Sequence, residues 1–148
     1  KKDLIKTSGG KFIAPQPIEN ALKANVLVAQ AAVIGDRRKY ASVILSPHFP
    51  LLEDWARANG VVFHDHHELV AAAKVRDLYR GIVEDTNKRL AQFETIKKIL
   101  IVPDEFTVAG GEITPTLKLK RRVIESKYKQ QIEDLYQEPH PIETAPVG

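Results

Sequence analysis

The sequence predicts an α+β fold: a small antiparallel or mixed sheet of about three strands, preceded by an N-terminal hairpin and covered by helices. Three observations predict it. Two β-rich runs, Val26 to Ile34 and Tyr40 to Leu45, flank the polar, glycine-led turn Gly35-Asp36-Arg37-Arg38-Lys39, so they form an antiparallel pair. A continuous apolar run, Ile99-Leu100-Ile101-Val102, has the length and composition of a buried strand. Between them, Val75, Leu78, Tyr79, Ile82, Val83, Leu90 and Phe93 recur at helical spacing. Arg76, Asp77, Arg80, Glu84, Lys88 and Arg89 lie mostly off that stripe, as in a long amphipathic helix packed on a sheet.

Taken in order, the chain begins with two short apolar pieces around Ser8-Gly9-Gly10, a small β-hairpin whose tip adopts positive φ. Pro15 to Lys23 follows as a helix. Pro17 suits its first turn, Ile18, Ala21 and Leu22 share one face, and Glu19 near its start favours the dipole. After the strand pair, Pro50 to Asn59 places Leu51, Leu52, Trp55 and Ala56 on one helical face and stops at Gly60, with Trp55 as a packing anchor. Asp65 and Glu68 form a capping box for another helix. The last helix runs from about Leu119 to Tyr136, with Ile124, Tyr128, Ile132 and Leu135 on its apolar face. Residues 139–148, rich in proline, read as an extended tail.

Composition narrows the function. The 148 residues suit one domain with a modest core, and 43% hydrophobic with 28% charged residues is ordinary for a globular chain. A net charge of +3 permits phosphate-bearing ligands without demanding nucleic acid. The absence of cysteine removes thiolate catalysis, disulfide scaffolds and cysteine zinc sites. It fits a cytoplasmic setting. His64, His66 and His67 invite a metal, but His66 and His67 are adjacent and point apart, and no second cluster supplies further ligands. A solvated helix start accounts for them, and no metal site is expected.

The most informative stretch is Gly110-Gly111-Glu112-Ile113-Thr114-Pro115-Thr116-Leu117-Lys118-Leu119-Lys120-Arg121-Arg122. A glycine pair and a proline hold an irregular loop that ends in a lysine just before a helix, which suits a flexible cation presented to another site. On composition alone, a solvated basic turn would be favoured. The order of residues resembles the C-terminal lysine motif of adenylate-forming (AMP-binding) enzymes. Within them, Pro115-Thr116-Leu117-Lys118-Leu119-Lys120-Arg121 resembles the long-chain fatty acyl-CoA synthetase branch, where an apolar residue replaces the commoner glycine before the lysine. A second motif of the same enzymes, Gly-Arg-x-Lys-Asp-x-Ile-Lys-x-x-Gly, is similar to Lys2-Asp3-Leu4-Ile5-Lys6, with its Gly-Arg preceding Lys1. "Pro-x-x-Ile-Glu" and "Ala-Val-Ile-Gly-Asp" at Pro15–Glu19 and Ala32–Asp36 also resemble the family.

What the resemblance implies is specific. The fold is that of the AMP-binding enzyme C-terminal domain. Residues 1–138 form the small C-terminal lobe of a long-chain fatty-acid–CoA ligase, and a separate N-terminal lobe holds ATP, Mg2+ and the fatty acid. The opening in mid-motif agrees with a piece of a longer protein, and this piece alone is expected to catalyse nothing. Lys118 is the catalytic residue of the adenylation half-reaction, with Lys120 in reserve because Leu117 departs from the usual glycine. Lys2 falls at the hinge between lobes. Ser8, Gly9, Gly10 and Lys11 fall on the loop lining the CoA tunnel during thioester formation. Arg121 and Arg122 either meet CoA phosphates or solvate the helix, the second being favoured. The implied partners are the N-terminal lobe, acyl-adenylate and CoA, in the cytoplasm, with room for peripheral membrane association of the parent.

Within the same family, the C-terminal lobe of another carboxylate–CoA ligase, acting on an aryl acid or an amino acid, is the alternative, and two other classes compete. A nucleic-acid-binding module would use Lys118–Arg122 and Arg37–Lys39, but interleaved aromatics and a strongly basic balance are missing, so no nucleic-acid partner is expected. A pure interaction or dimerisation domain would use exposed helix faces, and a large stable dimer would argue against a rotating lobe.

Overall fold

The computed structural model describes residues 3–137. Lys2 and the tail at 139–148 therefore lie outside the described residues. Strands β1 (Ile5–Lys6) and β2 (Phe12–Ile13) form the N-terminal hairpin, followed by helix α1 (Pro15–Lys23). Strands β3 (Val28–Ile34) and β4 (Ala41–Pro47) pair antiparallel. Helices α2 (Phe49–Ala58), α3 (His66–Ala71) and α4 (Ala73–Asn87) then lead to β5 (Ile96–Ile101), which pairs parallel with β4. Helices α5 (Arg121–Lys127) and α6 (Lys129–Gln137) close the chain. The expected sheet of three strands plus a hairpin is present, in the order β3-β4-β5.

Alternation along the strands divides two cores. Ala31, Val33, Val43 and Leu45 face one side with Ile5, Ile13, Ile18, Leu22, Leu52, Leu69, Val75 and Tyr79. Ala32, Ile34 and Ile44 face the other, with Phe106, Ile113, Ile124, Tyr128 and Ile132. The central strand β4 is buried at all seven positions because helices cover both its faces. Trp55 packs against the first core as a half-buried anchor.

Element ends differ from the sequence expectations where side chains capture backbone groups. The strand expected from Val26 starts at Val28, because Asn25 Oδ1 accepts the Leu27 amide at 2.9 Å and holds a turn; Val26 stays exposed. The helix expected to reach Phe93 ends at Asn87. The Asn87 amide then bonds both backbone groups of Ile96, at 2.9 and 2.8 Å, and so starts β5 three residues before the expected Ile99. Leu90 still packs on the core, whereas Phe93 is exposed beneath the Lys11 ammonium, 5.5 Å from its ring centre. The last helix starts at Arg121, because Leu119 pairs with Ile113 and the Lys120 amide donates to Glu112 O. It also breaks at Tyr128, whose hydroxyl donates to Asp104 Oδ2 at 2.8 Å. The Asp65 cap is present, with Oδ1 accepting the Glu68 amide at 2.8 Å. Glu68 turns instead to the His64 amide at 2.7 Å, so the reciprocal half of the box shifts by one residue.

Candidate functional site: the lysine hairpin and the glycine loop

Residues 112–120 form a tight hairpin. Lys120 N donates to Glu112 O, Thr114 N to Lys118 O and Leu117 N to Thr114 O, each at 2.8 Å. Thr114 Oγ1 accepts the Lys118 amide at 3.0 Å, which closes the turn over Pro115 and Thr116. Leu117 is forced to φ 65°, the left-handed region that favours glycine, and its side chain is exposed. Lys118 stands next to it, exposed, and among the described residues its ammonium has no hydrogen-bond or ion-pair partner. Its backbone is thus fixed while its charge is free.

The base of this hairpin is a buried carboxylate. Glu112 is 1% exposed; its Oε1 accepts the Thr107 amide at 2.9 Å and its Oε2 accepts from Lys127 Nζ at 3.0 Å. Glycine at 110 makes room, because a Cβ there would stand 2.5 Å from Glu112 Oε1. Burial raises the affinity of Glu112 for a proton, but the Thr107 amide and the Lys127 ammonium outweigh it and hold the carboxyl below its ordinary 4.5. The resulting stabilisation is complete above that ordinary value and is lost as pH falls through the depressed folded-state value. Urea titrations between about pH 5 and pH 2 should therefore show a smaller acid loss in Glu112→Gln than in the wild-type chain. Equal slopes in the two proteins would contradict this.

Arg121 follows the hairpin and is not at the surface. Its side chain is 12% exposed and pairs with Glu19, itself 5% exposed; Nη2 reaches Glu19 Oε1 at 3.4 Å, and Nη1 donates to Val33 O at 2.9 Å. Glu19 Oε2 also accepts the Val33 amide at 2.8 Å. Neither sequence expectation for Arg121 holds: this buried guanidinium neither faces solvent nor is free for a phosphate. Glu19 likewise serves more than the helix dipole, since it ties α1, β3 and α5 together. Asp3 reaches the same arginine at 3.6 Å, linking the N-terminal segment to the start of α5. Arg122 is exposed, as expected.

The glycine loop lies on the β1–β2 hairpin. Thr7 N donates to Lys11 O and Gly10 N to Thr7 O, both at 2.9 Å, and Gly10 takes φ 85°. Ser8, Gly9, Gly10 and Lys11 are all exposed. A brace holds the loop from the β3–β4 turn. Ser8 N donates to Arg38 O at 2.9 Å, Arg37 N to Lys6 O at 2.8 Å, and Lys6 N to Asp36 Oδ1 at 3.1 Å. This polar turn is thus half engaged. The Arg38 side chain leaves it for α6, where it pairs with Glu133 and lies 4.7 Å from the Tyr136 ring centre. Only a long-range pairing can reveal such contacts, and no local pattern signals them.

Two of the three histidines, His64 and His66, are paired with carboxylates. His64 Nδ1 meets Glu68 at 2.8 Å, while His66 Nε2 meets Glu53 at 2.7 Å and its ring stacks on Phe49 at 3.9 Å. Among the described residues no group of three His, Cys, Asp or Glu side chains could hold a metal ion.

With this geometry in place, comparison with known proteins identifies the domain. The family model for the AMP-binding enzyme C-terminal domain matches residues 2–140. The chain belongs to that family. This AMP-binding enzyme C-terminal domain is 33% identical over 145 residues to the long-chain-fatty-acid–CoA ligase FadD15 of Mycobacterium tuberculosis, covering 92% of this chain and 23% of the relative. It is 35% identical over 142 residues to long-chain-fatty-acid–CoA ligase 6 of Homo sapiens, covering 92% of this chain and 20% of that one. The domain therefore spans about a fifth to a quarter of the length of these relatives. Among solved structures, the adenylation domain of a carboxylate reductase from Mycobacterium chelonae superposes with a TM-score of 0.72 at 23% identity, over 91% of this chain and 19% of that one. The fold is thus shared with adenylation domains, and the family inferred from the two sequence motifs is the one found.

Proposed function

We propose that the chain is the mobile C-terminal lobe of a long-chain fatty-acid–CoA ligase, spanning residues 1–138, which joins ATP, a fatty acid and CoA into acyl-CoA, AMP and pyrophosphate. The observation that carries this is Lys118: an unpaired ammonium held beside the tip of a hairpin whose base is fixed by Glu112. In the first half-reaction the fatty acid carboxylate attacks the α-phosphate of ATP, an acyl–phosphate bond forms and pyrophosphate leaves. Two anions must approach, and charge builds on the phosphoryl oxygens. A cation placed against both offsets that repulsion far better in a dry cleft than in water. Lys118 supplies it.

In the second half-reaction the CoA thiol attacks the acyl carbon and AMP leaves. Lys118 must withdraw, and the loop Ser8–Lys11 takes its place beside the entering pantetheine, where glycines permit close backbone approach. Lys2, outside the described residues, lies at the hinge that absorbs the backbone change. ATP, Mg2+ and the fatty acid would be held by an N-terminal lobe, and Mg2+ supplies charge neutralisation at the phosphates when bound there. Among the described residues no helix is long and apolar enough to cross a membrane.

The test uses the full-length parent with ATP, CoA and a long-chain fatty acid. Fatty-acid-dependent pyrophosphate exchange and thioester formation are expected from the parent, and neither from the 148-residue chain alone. Exchange with aryl or amino acids in place of fatty acids would overturn the branch assignment.

A further inference from the structure

The glycine loop is held by a route that runs through the far end of the chain. Its one long-range backbone tether at the tip is Ser8 N to Arg38 O, at 2.9 Å. Arg38 is in turn fixed by its side chain, which pairs with Glu133 and stacks on Tyr136 of α6. Tyr136 is itself fixed, because its hydroxyl donates to Tyr40 O at 2.8 Å and its ring lies 5.1 Å from that of Tyr40. Burial pushes this hydroxyl up to about 12, so it remains a donor at working pH. Arg38 holds the Glu133 carboxyl below its ordinary value, so the pair stays charged. Arg37, at φ 62°, is bonded to Lys6, which leaves the turn little freedom to re-form elsewhere.

Building on the ligase function proposed above, we infer that Arg38 is a positioning residue for thioester formation: clamped to Glu133 and Tyr136, it holds the Ser8–Gly10 loop in place through its own carbonyl. The side chain touches α6 and the backbone touches the loop, so the residue acts without meeting CoA. The lysine hairpin is braced separately, through Glu112 and Arg121, and does not depend on this clamp.

The discriminating variant is Glu133→Ala, which removes the ionic half of the clamp and leaves the arginine charge in place. In the full-length ligase, Glu133→Ala and Arg38→Ala should each raise the CoA KM about five- to tenfold, the size expected for one lost charge-assisted contact. Pyrophosphate exchange should stay within about twofold of wild type in both. The charge-reversed pair Arg38→Glu with Glu133→Arg should restore the KM. A rise with Arg38→Ala but not with Glu133→Ala would mean that the guanidinium meets CoA directly, and would overturn the inference. A fall of both half-reactions together would make the clamp merely structural. A second measurement is independent of catalysis: in the 148-residue chain, Glu133→Ala should speed exchange of the Ser8 amide about tenfold and leave the Thr114 and Lys120 amides unchanged. If Ser8 responds but the parent proves not to be a ligase, the proposed function fails and the clamp stands; an unchanged Ser8 amide refutes the clamp itself.

Discussion

Lys118→Ala in the full-length parent, acting as the proposed ligase, should lower fatty-acid-dependent pyrophosphate exchange by about 10²–10³-fold, the range seen when one preorganised charge-stabilising group is removed. Thioester formation from supplied acyl-adenylate should be nearly unchanged, because the proposed mechanism withdraws the lysine for that step. The variant should also fold normally. The hairpin is closed by backbone bonds and by Thr114, and the Lys118 side chain contributes to none of them. Lys120→Ala is the control two residues on: its amide holds the hairpin base at Glu112 O, and loss of its exposed side chain should leave exchange largely intact. If Lys120→Ala abolishes exchange while Lys118→Ala does not, the catalytic register is wrong. Equal loss of both half-reactions in folded Lys118→Ala would remove the case for a lobe with two working positions.

Glu19→Ala should destabilise the chain by about 3–5 kcal/mol, as expected when one partner of a buried ion pair is deleted. Arg121 would be left nearly buried with only Val33 O and the exposed Asp3 to meet its charge, and the Val33 amide would lose its acceptor. The urea midpoint reports this directly, and a shift equivalent to less than about 1 kcal/mol would show that the pair is not uncompensated when broken. Replacing both residues with apolar ones of similar volume, Glu19→Leu with Arg121→Met, should recover much of the loss, since the desolvation cost of both charges disappears together. That comparison separates the value of the pair from the penalty of an orphaned charge.

The parts legible in the sequence were those carried by local pattern. Two β-rich runs and the turn between them gave β3 and β4, the period of Val75, Tyr79 and Val83 gave α4, and the resemblance of Gly110–Arg122 to a family motif gave the family. What was not legible depended on contacts between distant positions. The end of α4 is decided by Asn87, whose amide is taken by Ile96, and neither residue alone announces it. The break at Tyr128 goes with a bond to Asp104, which lies before the lysine hairpin. Arg121 looks like one more cation in a basic run, and only the proximity of Glu19 makes it a core residue. At Leu117 the structure supplies a reason the sequence could not: the position has a positive φ, so the glycine common there in the wider family meets a backbone need that this chain satisfies at the cost of some strain.

The parallel pairing of β4 with β5 has a consequence for how such a domain can change. Everything from residue 48 to residue 95 is a single crossover that leaves the C-terminal end of β4 and returns to the other end of the sheet, where Ile96 pairs with Ala41. The entropy lost in closing an excursion grows only logarithmically with its length, about 0.6 kcal/mol for each doubling in the flexible-chain limit. Length can therefore be added between these strands at little cost in closure entropy, whereas the helices already there are held by Leu52, Leu69, Val75 and Tyr79 in the first core. The lysine hairpin, the buried Glu112 and the Arg121 anchor all follow β5 in the chain. Length added in this segment is thus free to diversify the domain's outer surface while the lysine hairpin keeps its register.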